Sequence, residues 1–512
     1  MACREVAAVL VLALGCARSD VQPAAAPAPP LLPGKLHVEL AYATYWGAPG
    51  GSALRSAVFD AAGNLYVAGG TEVAAQWPQT APATGPLGDF DVVVAKFDPA
   101  GRNLWSLAIG GTDEDYAYVS ALDPEGNLLV GGRGGVGFPV TPGAFATKFA
   151  GGFPIGPHGA TDGFLMSLSP DGALRWATYL GTSGDDVIRA IEVLPDGRIA
   201  VSGGAREAGD APVTEGALKP KMGGVKDAFV ALFASDGSAL DFLTYFGPSD
   251  DTNEKEDETL RAIALDPAGN LWLGGTTQGS DLRPSAGAFQ PVRGGGNSAF
   301  VAKLTPDGRA MPYFSWLGGS AEDDVETEGT ADASGAFLIA GGTGSADFPT
   351  TPGAESRGAG DDGWVARIEP DGKLGMAARL GGSGFDHFFG PALGADGTTF
   401  VAGSTGSKDF PVTNGAIQPA IAGADDALLA AFDHDGGLAY ATYFGGSGDD
   451  TGRFVAFDWA HARVALIGET NSLDIPLKNA VQTAPGGVYL AVAEVKSAAR
   501  APAASAPAGS AD

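Results

Sequence analysis

Cysteine is almost absent: Cys3 and Cys16 are the only two in 512 residues, and both stand near the start. No disulfide framework can staple the body of the chain. Basic residues are also scarce, with 31 Lys and Arg against 60 Asp and Glu, a net charge of −29. Nucleic acid is not the expected partner, because phosphate binding needs a basic face. The charge suits a soluble exported protein, or one that meets a cation or a basic partner. Histidine is sparse: His37, His158, His387, His434 and His461 fall among a loop, turns and strand ends. No pair has metal-ligand spacing on one element. There is no G-x-S-x-G nucleophile elbow, since GGSG has the wrong spacing. The apolar run from Val6 to Leu14 is too short to cross a bilayer as a helix.

Glycine, by contrast, is abundant, at 79 residues, and it falls at turns rather than at every third position. The phrase YFGGSGDD at 443–450 recurs as YLGTSGDD at 179–186, WLGGSAEDD at 316–324 and LGGSGFD at 380–386. Weaker copies are IGGTDED (109–115), YFGPSDD (245–251) and YWGAPGGS (45–52). A period of roughly 60–70 residues, built of short apolar runs and Gly turns, marks a radial β array.

Each unit reads as four strands. In one copy RAIALD (261–266), NLWLGGT (270–276), SAFVAKLT (298–305) and YFSWLGG (313–319) are joined by DPAG, a long loop and TPDG. Pro presets φ in such turns and Gly accepts a positive φ. Second strands such as GNLYVAGG (63–70) number seven, and so do third strands such as DAFVALFA (227–234). Their near-continuous apolar runs suit sheets covered on both faces. Only six fourth strands follow their third strands. The missing one is HVELAYATYWG (37–47), which matches GLAYATYFGG (437–446). The expectation is an all-β, seven-bladed β-propeller over 37–496. Its blades are four-stranded and antiparallel, and the N-terminal strand completes the last blade and removes both open edges.

These units resemble a bacterial β-propeller repeat, the SBBP-type family. The matching phrases here are ATYFGGSGDD (441–450), GNLYVAGG, DFPTTPGA (347–354), DFPVTNGA (409–416) and DAFVALFA, over about 37–496. The resemblance implies the propeller fold and an exported or surface location. It implies no reaction.

The first twenty residues, MACREVAAVLVLALGCARSD, have the short apolar core of a secretory signal. Ala13-Leu14-Gly15-Cys16 resembles the lipobox of bacterial lipoproteins, with Ala where Leu is usual. The resemblance implies cleavage after Gly15 and lipidation of Cys16. Ala17 in place of Asp implies sorting to the outer membrane. Residues 16–36 then read as a lipidated Cys and an Ala/Pro-rich tether, and 497–512 as a disordered tail.

Tight turns join strands one to two and three to four on one face, as in DPEG (123–126) and EPDG (369–372). The long connections lie on the opposite face, where function is expected. Two are irregular, Gly134 to Thr161 and Thr252 to Glu258. The same face receives Asp113, Asp115, Asp185, Asp186, Asp250, Asp251, Asp323, Asp324, Asp386, Asp449 and Asp450. Oxygen ligands on Gly-rich turns suit Ca²⁺, and Asp185, Asp186, Asp449 and Asp450 are its best candidates. The other reading is that each Asp caps its own turn, and recurrence in every blade favours it. Phe348 and Phe410, and the aromatics near the fourth strands, read as packing. The expected function is a monomeric, lipid-anchored envelope propeller, a binding or scaffold module that meets a protein or glycan through its acidic long-loop face. The alternative is a glycan lyase or hydrolase using carboxylates of that face.

Overall fold

Apolar runs bounded by Gly and Pro turns can bury both faces only if another sheet covers each side. Seven sheets around one axis satisfy that need. The computed structural model describes residues 31–151, 160–206, 210–223, 226–248, 259–279, 281–394 and 396–497. Cys16, most of the tether, the tail beyond 497, His158, Asp250, Asp251 and the 252–258 loop lie outside the described residues.

Blade one holds Ser52–Phe59, Leu65–Thr71, Asp91–Phe97 and Asn103–Ile109. Blade two holds Tyr116–Leu122, Leu128–Gly134, Asp162–Leu168 and Leu174–Leu180. Blade three holds Asp185–Val193, Ile199–Arg206, Lys226–Phe233 and Leu240–Phe246. Blade four holds Thr259–Leu265, Leu271–Thr277, Ser298–Leu304 and Tyr313–Leu317. Blade six holds Asp386–Leu393, Thr399–Thr405, Asp426–Phe432 and Leu438–Phe444. Each of these sheets is ordered as the chain runs. The first strands of neighbouring blades pack against one another all the way round, so they line a central channel.

Blade seven joins the two ends of the ring. Asp450–Asp458, Arg463–Thr470 and Val488–Ser497 are followed in space by Leu36–Trp46. The pair is antiparallel and sets Trp46 opposite Val488. This is the closure expected from the strand count. Just before it, the Leu32 N–H donates to the Val412 carbonyl at 2.8 Å and the Lys35 N–H to the Ala439 carbonyl at 2.8 Å. The last residues of the segment read as a tether are therefore bound to blade six.

Third strands such as Asp91–Phe97 and Asp362–Ile368 are buried along their whole length. Their side chains fill wedges between neighbouring sheets; one such core joins Ala190 and Val230 of blade three to Ile263 and Phe300 of blade four. Phe348 stacks on Trp364 and Phe410 meets Tyr443 edge-on, so the DFP loops pack as expected. Trp46, Trp105, Trp176, Tyr245, Trp316 and Tyr443 are all buried.

Blade five departs from the pattern. Its inner strand is only Thr330–Ala331, beside Phe337–Thr343, Asp362–Ile368 and Leu374–Leu380, with Ser356–Arg357 added parallel at the outer edge. The sequence VETEGTAD (325–332) puts Glu and Gly where other copies have apolar strand formers, so little ladder forms. Glu328 there has a φ of +23°, a rare backbone for a residue with a Cβ.

Candidate binding site in the central channel

The recurring GGSGDD turn builds the mouth of the channel, and its chemistry is local. A Cβ on Gly381 would stand 2.1 Å from Asp362 Oδ1 and 2.9 Å from Asp386 Oδ2. A Cβ on Gly446, the second glycine of its turn, would stand 2.4 Å from Asp474 Oδ1. Each phrase needs glycine because carboxylates pack onto its backbone. The next serine closes the turn: the Ser447 N–H and Oγ donate to Asp474 at 2.7 and 3.0 Å. Ser383 does the same with Asp409 at 2.8 and 2.9 Å.

The four calcium candidates sit in these turns on two separate blades. Asp185 Oδ1 accepts from the Thr161 N–H and Oγ1, both at 2.9 Å. Asp186 Oδ2 accepts from the Thr182 N–H at 2.6 Å and Oγ1 at 2.9 Å. Asp450 Oδ2 accepts from the Gly446 N–H and the Ser472 Oγ, both at 2.7 Å. Asp449 uses its own N–H, which donates to Asn471 Oδ1 at 2.6 Å, and its side chain borders the channel mouth. Burial pushes Asp186 up to about 7 and both Asp115 and Asp162 up to about 8.

Deeper in, the first strands share a defect. Each of six has one residue that drops out of the ladder: Arg55, Tyr118, Arg189, Arg261, Gly390 and Arg453. A bulge of this kind bends the strand and re-aims one side chain. Here the five that carry side chains all face a channel cavity of about 600 Å³. Its mouth is marked by Phe385, which is 52% exposed.

The arginines are held rather than loose. Glu469 bridges Arg55 at 3.2 Å and Arg453 at 3.1 Å. The Arg55 Nε also donates to the Tyr116 hydroxyl at 2.7 Å. Arg261 pairs with Glu326 at 2.7 Å. Arg189 lies over the Tyr118 ring, 3.8 Å from its centre. His387 is flanked by Phe385 and Phe389, with ring centres 5.7 and 5.2 Å away. Burial alone would lower the His387 pKa, but Glu326 and Asp324 beside it raise it. Burial opposes the charge of Glu326, yet Arg261 and His387 hold that carboxyl down at about 2. Outside this cavity's lining, burial pushes Glu192 up to about 7 and the neighbouring Glu328 up to about 8.

Many acids of the expected acidic surface thus accept hydrogen bonds near their turns, and the cavity beneath it gathers four arginines, two bridged by Glu469 and one paired with Glu326. Its lining sets four arginines and His387 against three carboxylates, Glu326, Asp425 and Asp449. Sequence reasoning missed these arginines. The signal was present: LRSA (54–57), IRAI (188–191), LRAI (260–263) and RFVA (453–456) place Arg at one aligned position inside apolar strands. An arginine there must escape the core, and the bulge is how it does so.

No family model matches the chain. The regulatory protein FlaEY of Caulobacter vibrioides is 24% identical over 379 residues, covering 69% of this chain and 36% of that protein. An uncharacterized WD repeat-containing protein of Acanthamoeba polyphaga mimivirus is 27% identical over 116 residues, covering 22% of this chain and 8% of its own. The chain thus spans well under half the length of the curated relatives it matches. Among solved structures, the RRP9 WD40 repeats align at a TM-score of 0.47 and 8% identity, covering 90% of this chain and all of theirs. A family PL25 ulvan lyase aligns at 0.42 and 9% identity, covering 88% of this chain and 95% of its own. The propeller assignment itself rests on the strand order and closure of this chain.

Proposed function

We propose that the chain is a lipid-anchored binding propeller of the bacterial envelope, of the SBBP-type repeat, and that its ligand is an acidic glycan entering the channel from the long-loop face. The ring of bulge residues carries this reading: in a chain of net charge −29, arginines from four blades converge on one cavity of about 600 Å³. Guanidinium groups match carboxylates and sulfates two bonds at a time. Tyr118, Phe385 and Phe389 supply flat apolar faces beside them, as sugar rings require. The similar Caulobacter protein is named a regulatory protein, which agrees with binding rather than turnover. The anchor rests on the lipobox-like LALGC ending at Cys16.

The test uses oligogalacturonate and its neutral counterpart, with binding followed by calorimetry. The acidic oligosaccharide should bind, more weakly as salt rises. Arg453→Gln should lower the affinity by about tenfold or more, the worth of one charge-assisted pair. Equal binding of acidic and neutral sugars would refute the reading. Cleavage of the probe would move the protein to the lyase or hydrolase alternative. For the anchor, Cys16→Ser should abolish detergent partitioning and palmitate labelling; an unacylated wild-type protein would refute it.

A further inference from the structure

The distorted blade five is where the channel wall changes character. Six blades present a regular inner strand to the axis, while this one presents the irregular segment before Thr330. That segment brings two carboxylates, Asp324 and Glu326, to an imidazole of the next blade. We infer that Asp324, Glu326 and His387 form a binding site for a divalent transition-metal ion of the zinc class.

The geometry of the three groups carries the inference. One ligand atom from each lies within 4.8 Å of the other two. His387 Nε2 stands 3.7 Å from Asp324 Oδ1 and 3.6 Å from Glu326 Oε1. Those separations are too long for hydrogen bonds. The Nε2 atom is buried and has no hydrogen-bond partner, which is costly for a polar atom unless something else meets it. With metal–ligand bonds of about 2.0–2.2 Å, neighbouring ligand atoms stand roughly 3–3.5 Å apart. The imidazole nitrogen needs to approach each carboxylate by only a few tenths of an ångström, and the two carboxylate oxygens, within 4.8 Å of each other, draw together around the ion.

The surroundings orient all three ligands. Arg261 holds Glu326 Oε2 at 2.7 Å, which leaves Oε1 facing the imidazole. The Gly342 N–H donates to Asp324 Oδ1 at 2.7 Å and fixes that carboxylate. Outer contacts of this kind are what aim ligands at a metal. Gly342 also makes room for the ring: a Cβ there would stand 2.6 Å from both Nδ1 and Cε1 of His387. The imidazole nitrogen selects the metal class. Calcium and magnesium take oxygen ligands, whereas a nitrogen with two carboxylates suits zinc and its first-row neighbours. Glu326 and His387 line the open cavity, and a set of three protein ligands leaves a coordination position for water or an acidic ligand group.

This inference concerns the cavity of the proposed glycan site but needs no glycan. Protein stripped with a chelator, loaded with zinc and desalted should retain one zinc per chain by mass spectrometry. His387→Gln and Glu326→Gln should each cut retention by about tenfold or more. Their folding is checked by circular dichroism in chelator. Cobalt gives a second reading on the wild-type protein: an absorption spectrum with a nitrogen ligand supports the site, and the spectrum of the aqueous ion overturns it. Wild-type protein that retains no zinc overturns the inference, as does a folded His387→Gln protein that retains as much as wild type. Loss of zinc retention leaves arginine-dependent sugar binding in place, so the two ideas fail separately.

Discussion

Tyr45 stands directly opposite Tyr489 in the antiparallel pair that closes the ring. Both are fully buried. The Tyr45 hydroxyl donates to the Ser472 carbonyl at 3.0 Å and accepts the Ile475 N–H at 3.1 Å. One side chain near the start of the fold thus ties the outer strand of blade seven to the loop inside it. Ring closure is a packed core contact as well as a ladder of backbone bonds.

Removing that tie should loosen the whole ring. Tyr45→Ala leaves a cavity and two unpaired polar groups, and should cost about 3–5 kcal/mol. Deleting 37–46 should do more, because the edge of Val488–Ser497 then meets water unpaired. Urea unfolding checks both. A deletion with the wild-type midpoint would contradict the closure.

The glycine before the Ser turn gives a sharper test of packing. Gly381→Ala puts a methyl group against Asp362 and Asp386, and overpacking of this kind costs about 1–3 kcal/mol. Shortening the opposing side chain should restore part of the loss. The Gly381→Ala, Asp362→Ala pair is therefore expected to be less destabilised than the sum of the single changes. Strict additivity in denaturation would show that the carboxylate is not what the methyl group meets.

The propeller was legible because its period, its turn phrases and its strand count are all local patterns that repeat. The count of third and fourth strands even placed Leu36–Trp46 in the last blade. The site was less legible because it depends on departures from the repeat. Arg55, Arg189, Arg261 and Arg453 are each the basic residue of a largely apolar inner strand, and only the shared bulge aims them inward. Asp324 appeared in sequence as one acid of an acidic face, and His387 as an isolated histidine. Their meeting needs the collapse of one inner strand, which no spacing along the chain announces. The acids of the GSGDD turns show the opposite case. They recur plainly in sequence, and one oxygen each of Asp186, Asp386 and Asp450 accepts a hydrogen bond from its own turn.

Those turns give a prediction about calcium. Asp186 and Asp450 already accept backbone and hydroxyl donors through Oδ2. An ion bound through Oδ2 would have to share or displace those donors, which leaves the unpartnered Asp450 Oδ1 open to one. Melting curves in millimolar calcium and in chelator are expected to coincide, and Asp185→Asn and Asp449→Asn should leave that equality intact. A calcium-dependent rise in melting temperature that is lost in both variants would instead establish ligation, since a ligand bound only to the folded state raises its stability.

Stability should fall as pH rises from mildly acid to mildly alkaline. Burial, together with the nearby charges of Asp186 and Asp185, pushes Asp162 from an ordinary 3.8 up to about 8. Burial pushes Asp115 up to about 8 and Glu192 up to about 7. A carboxyl with a raised folded pKa keeps its proton in the native state after the unfolded chain has released its own. The native state then binds more protons, so stability declines with pH from about 4 to about 8. The turn acids Asp60, Asp98 and Asp266 shift the other way. Burial opposes their charge, but hydrogen bonds from Asn64, Arg102 and Asn270, with help from Lys96 and Lys303, hold them low. Their contribution is lost only as pH falls below the ordinary carboxylate range, so it stays constant through the window of interest. Asp162 Oδ2 accepts the Ala150 N–H at 2.7 Å, while Oδ1 has no partner. Asp162→Asn keeps the acceptor and removes the charge. It should match wild type only below about pH 4 and exceed it by a growing margin from pH 5 to pH 8, with a flatter slope between. Denaturant midpoints across that range decide the matter: a wild-type protein whose stability climbs from pH 5 to pH 8 would show that these carboxyls are ionised in the fold.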